Sequence, residues 1–204
     1  MAISSSKKRI HRAALVLFAE KGSTAVSVSE LAEVAGVARG TIYNNGLNPD
    51  SLFEDIASQL TNEMNARVIK TLGAEEDSAK RIALGIRMYI RRAHEEPDWG
   101  RFLCRFAFSS QSLLGLWTGE QSPLSDILKG VTNKRYSITE SQMFAVMNMI
   151  AGTVLSSIFS VLEGFKTWRE IGSEVAELIL SALGLEHEQA TEIAYMELPT
   201  LLEP

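Results

Sequence analysis

Apolar residues recur along this chain at spacings of three and four positions, with no sustained alternation of apolar and polar residues. That period is typical of helices with one buried face, and its recurrence predicts an all-α fold. The first predicted helix covers residues 5–21, and Gly22 ends it because glycine readily adopts the left-handed conformation that follows a helix. Its apolar stripe consists of Ile10, Ala13, Ala14, Leu17 and Phe18.

Residues 27–45 predict two short helices joined by a tight turn at Gly36. Ser27 precedes the first helix and Glu30 follows three residues later, a spacing in which each side chain caps a backbone N–H of the other residue. Val37 supplies the apolar contact that commonly follows such a turn. The second helix, about residues 38–44, needs support from behind, because isolated helices shorter than about 12 residues are marginal in water.

The second short helix carries mostly polar side chains. Ile42 is its main inward-facing candidate, and the outward-facing candidates are Arg39, Gly40, Thr41, Tyr43 and Asn44. Guanidinium and amide groups read base edges, hydroxyl and phenol groups bind phosphate oxygens, and glycine lets the backbone approach DNA closely. The pattern therefore fits a helix that contacts DNA, and it also fits a pair of core helices with a polar outer face.

With its flanks, this segment resembles the N-terminal helix-turn-helix of the TetR-type (tetracycline-repressor-like) transcriptional regulators. The resemblance spans about fifty residues without a gap. The matching residues are Ala13-Ala14, Leu17-Phe18, Gly22, Ser27-Val28, Leu31-Ala32, Ala35-Gly36-Val37, Gly40-Thr41-Ile42-Tyr43 and Leu52-Phe53. The rest of the chain is similar to the family only in length and helical character.

The resemblance implies a homodimeric, ligand-responsive regulator, a repressor in the favoured interpretation, that binds a palindromic double-stranded DNA operator. A three-helix head at residues 1–47 would bind DNA, and a helical body at residues 48–204 would bind a small apolar effector and form the dimer. The expected DNA-binding residues are Lys7, Lys8, Ser27, Arg39, Gly40, Thr41, Tyr43, Asn44 and Asn45.

The chain departs from the family pattern where the contact helix ends. Gly46 stands where the family usually has an aromatic residue, and Pro49 stands where it has a lysine. Leu47 is expected to rotate inward as a partial substitute for the ring, and Ala38 replaces the usual hydroxyl at the start of the contact helix. These departures leave open an alternative, a TetR-like helical ligand-binding or interaction protein with weakened or lost operator binding.

Further helices are expected throughout the body. One begins with Asn48 as its cap and Pro49 in its first turn, runs to about Leu72, and in the family links head to body. Others are expected at about residues 75–95, 98–110 and 122–134, with a glycine- and serine-bearing stretch before Gln121.

Residues 143–162 carry no charge and are long enough to cross a bilayer. Frequent serine and threonine, and flanks without basic residues, favour a buried helix that contacts a partner over a membrane span. Thr167 and Glu170 cap a last long helix, and in the family the two last long helices form a four-helix bundle in the dimer. Residues after 185 predict a short helix or loose tail. The expected interface residues are Gly152, Leu155, Ser156, Phe159, Val175, Leu178 and Ile179.

An effector pocket is expected where family members hold their ligands. Aromatic and methionine side chains suit an adaptable apolar pocket, although each is also an ordinary core residue. The candidates are Met88, Tyr89, Trp99, Phe102, Phe106, Trp117, Phe144 and Met147, with Arg91, Arg105, Gln142 or Asn148 as a polar group that orients the ligand.

Charge and composition narrow the function classes. Residues 1–45 contain six basic and three acidic residues, a net charge of +3, so the remainder carries −8 of the total of −5. A basic head on an acidic body fits a local phosphate contact, although a solvated basic N-terminus is also common. The single Cys104, scattered histidines and lack of a secretory signal or catalytic motif predict a cytoplasmic protein with no metal, cofactor or enzymatic activity.

Overall fold

The computed structural model describes residues 5–45, 48, 51–118 and 122–204. Within these ranges the chain forms helices and no strand, which confirms the all-α fold. The helices are α1 (Ser5–Lys21), α2 (Val28–Ala35), α3 (Arg39–Asn44), α4 (Leu52–Leu72), α5 (Ser78–Glu95), α6 (Pro97–Phe106), α7 (Gln111–Thr118), α8 (Pro123–Thr132), α9 (Met143–Leu162), α10 (Trp168–Ala182) and α11 (His187–Tyr195). A short 3-10 turn, Glu140–Gln142, precedes α9.

The first three helices form the N-terminal head. α1 packs against α2, and α2 packs against α3. The stripe predicted on α1 is buried: Ile10 and Ala14 are 0% exposed and Phe18 is 1% exposed. Ile42 of α3 is likewise fully buried. The short α3 is therefore held from behind by a packed apolar face, as its length requires.

The body is assembled around α5, which packs against α6, α8, α9 and α10. α5 can occupy the centre because its apolar residues cover most of its circumference, including the fully buried Ala83, Ile90 and Ala93. Glycine permits a close approach of α6 to α5, because a Cβ on Gly100 of α6 would lie 2.8 Å from the Cβ of Ala93.

α4 begins three residues later than the sequence predicts. Its first residue is Leu52 and its N-cap position is Ser51, three residues beyond the predicted cap Asn48. The Ser51 N–H donates to the Asn48 carbonyl oxygen at 3.1 Å. Ser51 already has helical torsion angles, and its side chain makes no capping hydrogen bond. The predicted roles of Gly46, Leu47 and Pro49 lie outside the described residues.

One further element differs from expectation, whereas the short helix expected after residue 185 is present as α11. The stretch before residue 121 contains α7, which packs against α4 through hydrogen bonds from Thr61 Oγ1 to the Ser112 carbonyl (2.9 Å) and from Asn65 Nδ2 to the Gly115 carbonyl (3.2 Å). The tail beyond α11 is not loose. Leu201 is 7% exposed, and the Leu202 N–H donates to Thr71 Oγ1 of α4 at 2.9 Å.

α9 is a helix of the body with one exposed apolar side. In the described part of the chain, one stretch, Glu140–Leu162, is long and apolar enough to cross a membrane, with 23 residues and a mean hydropathy of 1.8. Of its most apolar window, 44% is buried, and α9 packs against α5, α6 and α10. The buried side thus belongs to the chain's own core.

Candidate functional site

The turn between α2 and α3 is fixed by local capping. The Glu30 N–H donates to Ser27 Oγ at 3.2 Å, and the Ser27 N–H donates to Glu30 Oε2 at 3.0 Å. A hydrogen bond from Lys21, followed by those from Ser27, lowers the pKa of Glu30 to about 2. Gly36 has φ 62° and ψ 42°, and beyond it the Val37 N–H donates to the Ala32 carbonyl. These contacts set the angle at which α3 leaves α2.

The outer side of α3 is a continuous polar face. Arg39, Gly40, Tyr43 and Asn44 are exposed, Tyr43 by 61%, whereas Ile42 is buried. Among the described residues, nothing lies within 4 Å of the position that a Cβ would take on Gly40. The structure thus brings together four of the residues predicted to contact DNA.

The other predicted DNA-binding residues lie at the edges of the head. Thr41 is half-buried, and Asn45 donates from Nδ2 to the Thr41 carbonyl at 2.7 Å at the end of α3. The Ser27 hydroxyl is engaged in the α2 cap. Lys7 is half-buried and Lys8 is exposed, both in the first turn of α1.

Four phenylalanine rings join the head to the body. Phe18 of α1 lies 5.5 Å from Phe53 of α4, which lies 5.7 Å from Phe102 and 5.1 Å from Phe106 of α6, all measured between ring centroids. We call these four residues the junction cluster. Phe102 and Phe106 were expected in the effector pocket, but they are 0% and 6% exposed and fill this junction instead.

Beside the junction cluster, an ion-pair network connects α4 to the α5–α6 corner. Arg92 is 2% exposed and donates from Nη2 to Glu63 at 2.9 Å and to Glu96 at 3.1 Å. Its guanidinium lies over the Trp99 ring, 4.6 Å from the centroid. Trp99 therefore borders a cleft of about 520 Å³ between α1, α4 and this corner, and it does not line the cavity of the body.

The body cavity lies between α4, α5, α7, α8 and α9. The volume that the centre of a water molecule can occupy inside it is about 40 Å³. The total space not filled by atoms, including the open mouth, is about 560 Å³. It is lined by Asn65, Val68, Leu72, Arg81, Ile82, Gly85, Ile86, Tyr89, Leu116, Trp117, Ser122, Pro123, Asp126, Ile150 and Val154.

Only two of the eight predicted effector residues, Tyr89 and Trp117, are among the described residues that line this cavity. Their rings are stacked, with centroids 5.8 Å apart and an interplanar angle of 29°. Phe144 is 86% exposed on the outer side of α9, so its prediction as a pocket residue is wrong. Met88 and Met147 are buried, at 1% and 8% exposure, and do not line the cavity.

The charged groups among the described residues that line the cavity are a buried ion pair that the sequence did not reveal. Arg81 donates from Nε to Asp126 Oδ1 at 2.7 Å, and the two side chains are only 6% and 5% exposed. Burial raises the pKa of Asp126, opposed by the hydrogen bond and the charge of Arg81. The two residues are 45 positions apart, and neither stands in a motif that would have linked them.

None of the polar groups proposed from the sequence lines the cavity. Arg91 pairs with Glu95 at 2.8 Å, and Arg105 donates to the Glu20 carbonyl at the end of α1 at 2.9 Å. Gln142 caps the turn before α9, where its side chain accepts from the Thr139 N–H, and Asn148 is exposed. Their helices turn these side chains toward solvent or toward the head.

The exposed side of α9 continues onto α10. Phe144, Gly152, Ser156 and Phe159 are exposed on α9, Leu155 is partly buried, and Leu178 is 69% exposed on α10. We call the surface formed by these six residues the α9–α10 face. Val175 and Ile179 were expected on it, but they are 6% and 2% exposed and belong to the chain's own core.

Comparison with protein families decides which class of protein this is. A family model described as "Tetracyclin repressor-like, C-terminal domain" matches residues 77–196, which is more than half of the chain. A second model, "Bacterial regulatory proteins, tetR family", matches residues 10–45, which comprise most of the head. The chain belongs to the TetR family.

The TetR fold is also recognisable in solved structures. A structure of RolR in complex with resorcinol is 23% identical, with a TM-score of 0.70 over 97% of this chain and 96% of that one. A putative TetR-family transcription regulator from Shewanella sp. PV-4 is 17% identical, with a TM-score of 0.75 over 90% of this chain and 100% of that one. FadR from Bacillus halodurans is 17% identical, with a TM-score of 0.70 over 91% and 100% of the two chains.

A search of curated proteins gave no significant match to this TetR-family chain. At 17–23% identity the solved structures establish the fold alone. The family assignment therefore rests on the two family models, and it makes the chain a transcription regulator with a helix-turn-helix DNA-binding head.

Proposed function

We propose that this TetR-family chain is a cytoplasmic, ligand-responsive repressor that binds a palindromic DNA operator as a homodimer. Residues 1–47 serve as the DNA-binding domain and residues 48–204 as the effector-binding and dimerisation domain. The observation that carries the proposal is the exposed polar face of α3 in a head with a net charge of +3. The protein acts by binding and not by catalysis.

The face of α3 suits the major groove. Arg39 provides donors for a guanine edge or a phosphate, and the phenol of Tyr43 and the amide of Asn44 reach outward beside it. The open space at Gly40 allows the backbone to approach the duplex. Two such helices in a symmetric dimer would read two half-sites in opposite orientation, so the operator is expected to be palindromic.

The α9–α10 face supports dimerisation with a second copy of the chain. Large apolar side chains as exposed as Phe144 (86%) and Leu178 (69%) are unusual in a contiguous surface of a monomer. Gly152 lies in the middle of the face, and no described heavy atom lies within 4 Å of the position that a Cβ would take there. A partner helix can therefore approach its backbone closely.

Substitution of Gly152 by a charged residue tests whether this face forms the dimer. Gly152→Arg leaves the isolated fold intact, because the new side chain meets only solvent, but it places a guanidinium in the proposed contact. We expect sedimentation to show a dimer for the unmodified protein and a monomer for the variant. Leu128→Arg is the matched control, since Leu128 is 46% exposed on α8, away from this face. A monomeric unmodified protein at micromolar concentration contradicts the proposal.

The cavity is placed to influence the head through α4. Asn65, Val68 and Leu72 of α4 form one of its walls, while Phe53 near the start of the same helix belongs to the junction cluster. The cavity leaves only about 40 Å³ for the centres of water molecules, so an effector of several heavy atoms is expected to displace its walls, of which α4 is one. A shift of α4 then changes the separation of the two α3 helices in the dimer, and the effector lowers operator affinity because it favours one separation.

Binding-site selection from randomised duplex DNA tests the proposal directly, because it reports both DNA binding and the operator. Arg39→Ala should weaken binding to the selected operator by at least about tenfold, as the loss of a charged hydrogen bond implies. Arg101→Ala is the control, since Arg101 is an exposed arginine of the body. A compound that releases the operator must in turn bind more weakly, by the same factor, to the protein–DNA complex.

The alternative function, a ligand-binding protein with weakened operator binding, is favoured by one observation. α3 has six residues and begins after Ala38, whose side chain makes no capping hydrogen bond. If selection enriches no sequence while the folded dimer still binds small molecules, the alternative replaces the repressor. Ala38→Ser would then restore a cap and should increase DNA affinity.

A further inference from the structure

Two N–H donors in the wall of the body cavity have no hydrogen-bond partner within the part of the chain that the structure describes. They are Nη2 of Arg81 and Nε1 of Trp117, both buried from solvent. The other guanidinium nitrogens of Arg81 are engaged, Nε by Asp126 at 2.7 Å and Nη1 by the Glu75 carbonyl at 3.3 Å. An unpaired buried donor destabilises a protein, so a group that accepts a hydrogen bond there is strongly favoured.

The charges of the cavity are already balanced. Arg81 and Asp126 neutralise each other within the cavity wall. An incoming carboxylate would meet the negative charge of Asp126 and lose its own hydration, whereas an uncharged oxygen accepts from the same donors without that repulsion. Burial also raises the pKa of the Tyr89 phenol, which keeps that group neutral.

Most of the remaining lining residues are apolar, apart from Asn65 and Ser122, and part of the wall is flat. Ile82, Ile86, Leu116, Ile150 and Val154 contribute aliphatic surface. The stacked rings of Tyr89 and Trp117 add an aromatic wall that fits a planar group. A ligand group beside the two donors should therefore be polar, and the part of the ligand along the other walls should be apolar.

We propose that the effector is a small, uncharged, mainly apolar molecule, preferably planar, that carries an oxygen acceptor for the unpaired donors of the cavity wall, Arg81 Nη2–H and Trp117 Nε1–H. This inference rests on the proposed function in one respect, the use of the body cavity as the effector site. It adds the two residues that orient the ligand and the chemical class that they select.

A pair of isosteric probes tests the inference. Acetophenone and α-methylstyrene have nearly the same shape, but the first has a carbonyl oxygen where the second has a methylene group. Dissociation constants of both, and of benzoate, are measured with the purified full-length protein in the absence of DNA. We expect acetophenone to bind about tenfold more tightly than α-methylstyrene, because it satisfies buried donors, and more tightly than benzoate.

Substitution of the donors should remove this preference. Trp117→Phe keeps an aromatic wall and removes one N–H, so the preference should fall to about threefold. Arg81→Lys keeps a cation beside Asp126 and removes Nη2–H, with a similar loss expected. Trp168→Phe is the matched control, because Trp168 is a partly buried tryptophan of α10 that does not line the cavity.

The result in the unmodified protein decides the inference even if a variant fails to fold. Equal affinity for the two isosteres, tighter binding of benzoate, or no binding of any probe overturns it. Operator release is measured separately. Preferential binding of acetophenone without release of DNA supports the inference and contradicts the proposed coupling, whereas release by benzoate but not by acetophenone contradicts the inference alone.

Discussion

Replacing Phe53 by leucine removes the central ring of the junction cluster while keeping an apolar side chain. Phe53 makes three ring contacts, with Phe18 at 5.5 Å, Phe102 at 5.7 Å and Phe106 at 5.1 Å. Each such pair contributes about 0.5–1.5 kcal/mol beyond area burial. Phe53 is only partly buried, so the lower value applies to each of the three pairs. Together with the loss of buried ring surface, the free energy of unfolding should fall by about 2 kcal/mol.

Urea denaturation measures this change, at a fixed protomer concentration because the stability of a dimer depends on it. Phe108→Leu is the control. Phe108 is 65% exposed, and its replacement should change the free energy of unfolding by less than about 0.5 kcal/mol. If Phe53→Leu and Phe108→Leu have equal effects, the rings do not couple head and body energetically, and the route from cavity to α3 through α4 loses its support.

Three further predictions concern stability. Glu30 has a pKa lowered to about 2, so its contribution is present above about pH 4.5 and is lost as the pH falls toward 2; Glu30→Gln should flatten acid-induced unfolding in that interval, as followed by circular dichroism. Gly36→Ala should cost about 1–2 kcal/mol in urea denaturation, from φ 62° alone, because the new Cβ meets no described atom within 4 Å; a larger loss would indicate a clash that the structure does not contain. Leu201→Ala should cost about 2 kcal/mol and accelerate amide exchange in the second half of α4, and unchanged exchange there would show that the tail does not hold that helix.

The sequence predicted elements well where the determining contacts are local. The bounds of α1 and the capping of α2 by Ser27 and Glu30 agree with the structure because each depends on residues a few positions apart. α7 was missed because long-range hydrogen bonds from Thr61 and Asn65 help to stabilise it, in a segment whose own composition suggests a loop.

In the candidate sites, too, the sequence predicted what depends on local contacts and did not predict what depends on tertiary packing. The polar face of α3 was predictable because Ile42 fixes which side of a short helix is buried. The residues that line the cavity were not predictable. Phe102 packs in the junction cluster and Trp117 borders the cavity, but both are aromatic residues of a buried helix face, and the sequence pattern is the same in the two cases. The Arg81–Asp126 pair depends on tertiary packing of α5 against α8.

The tail beyond α11 is hydrogen-bonded to α4, and these bonds oppose movement of that helix. Arg67 and Lys70 donate to the carbonyl oxygens of Leu202 and Glu203, at 3.3 Å and 2.9 Å, beside the part of α4 that borders the cavity. Under the proposed mechanism, an effector that displaces α4 also has to break or lengthen these hydrogen bonds, and their cost raises the effector concentration that a response requires. Substitutions in residues 198–203 are then expected to change the sensitivity of that response without altering the residues that line the cavity or those of α3.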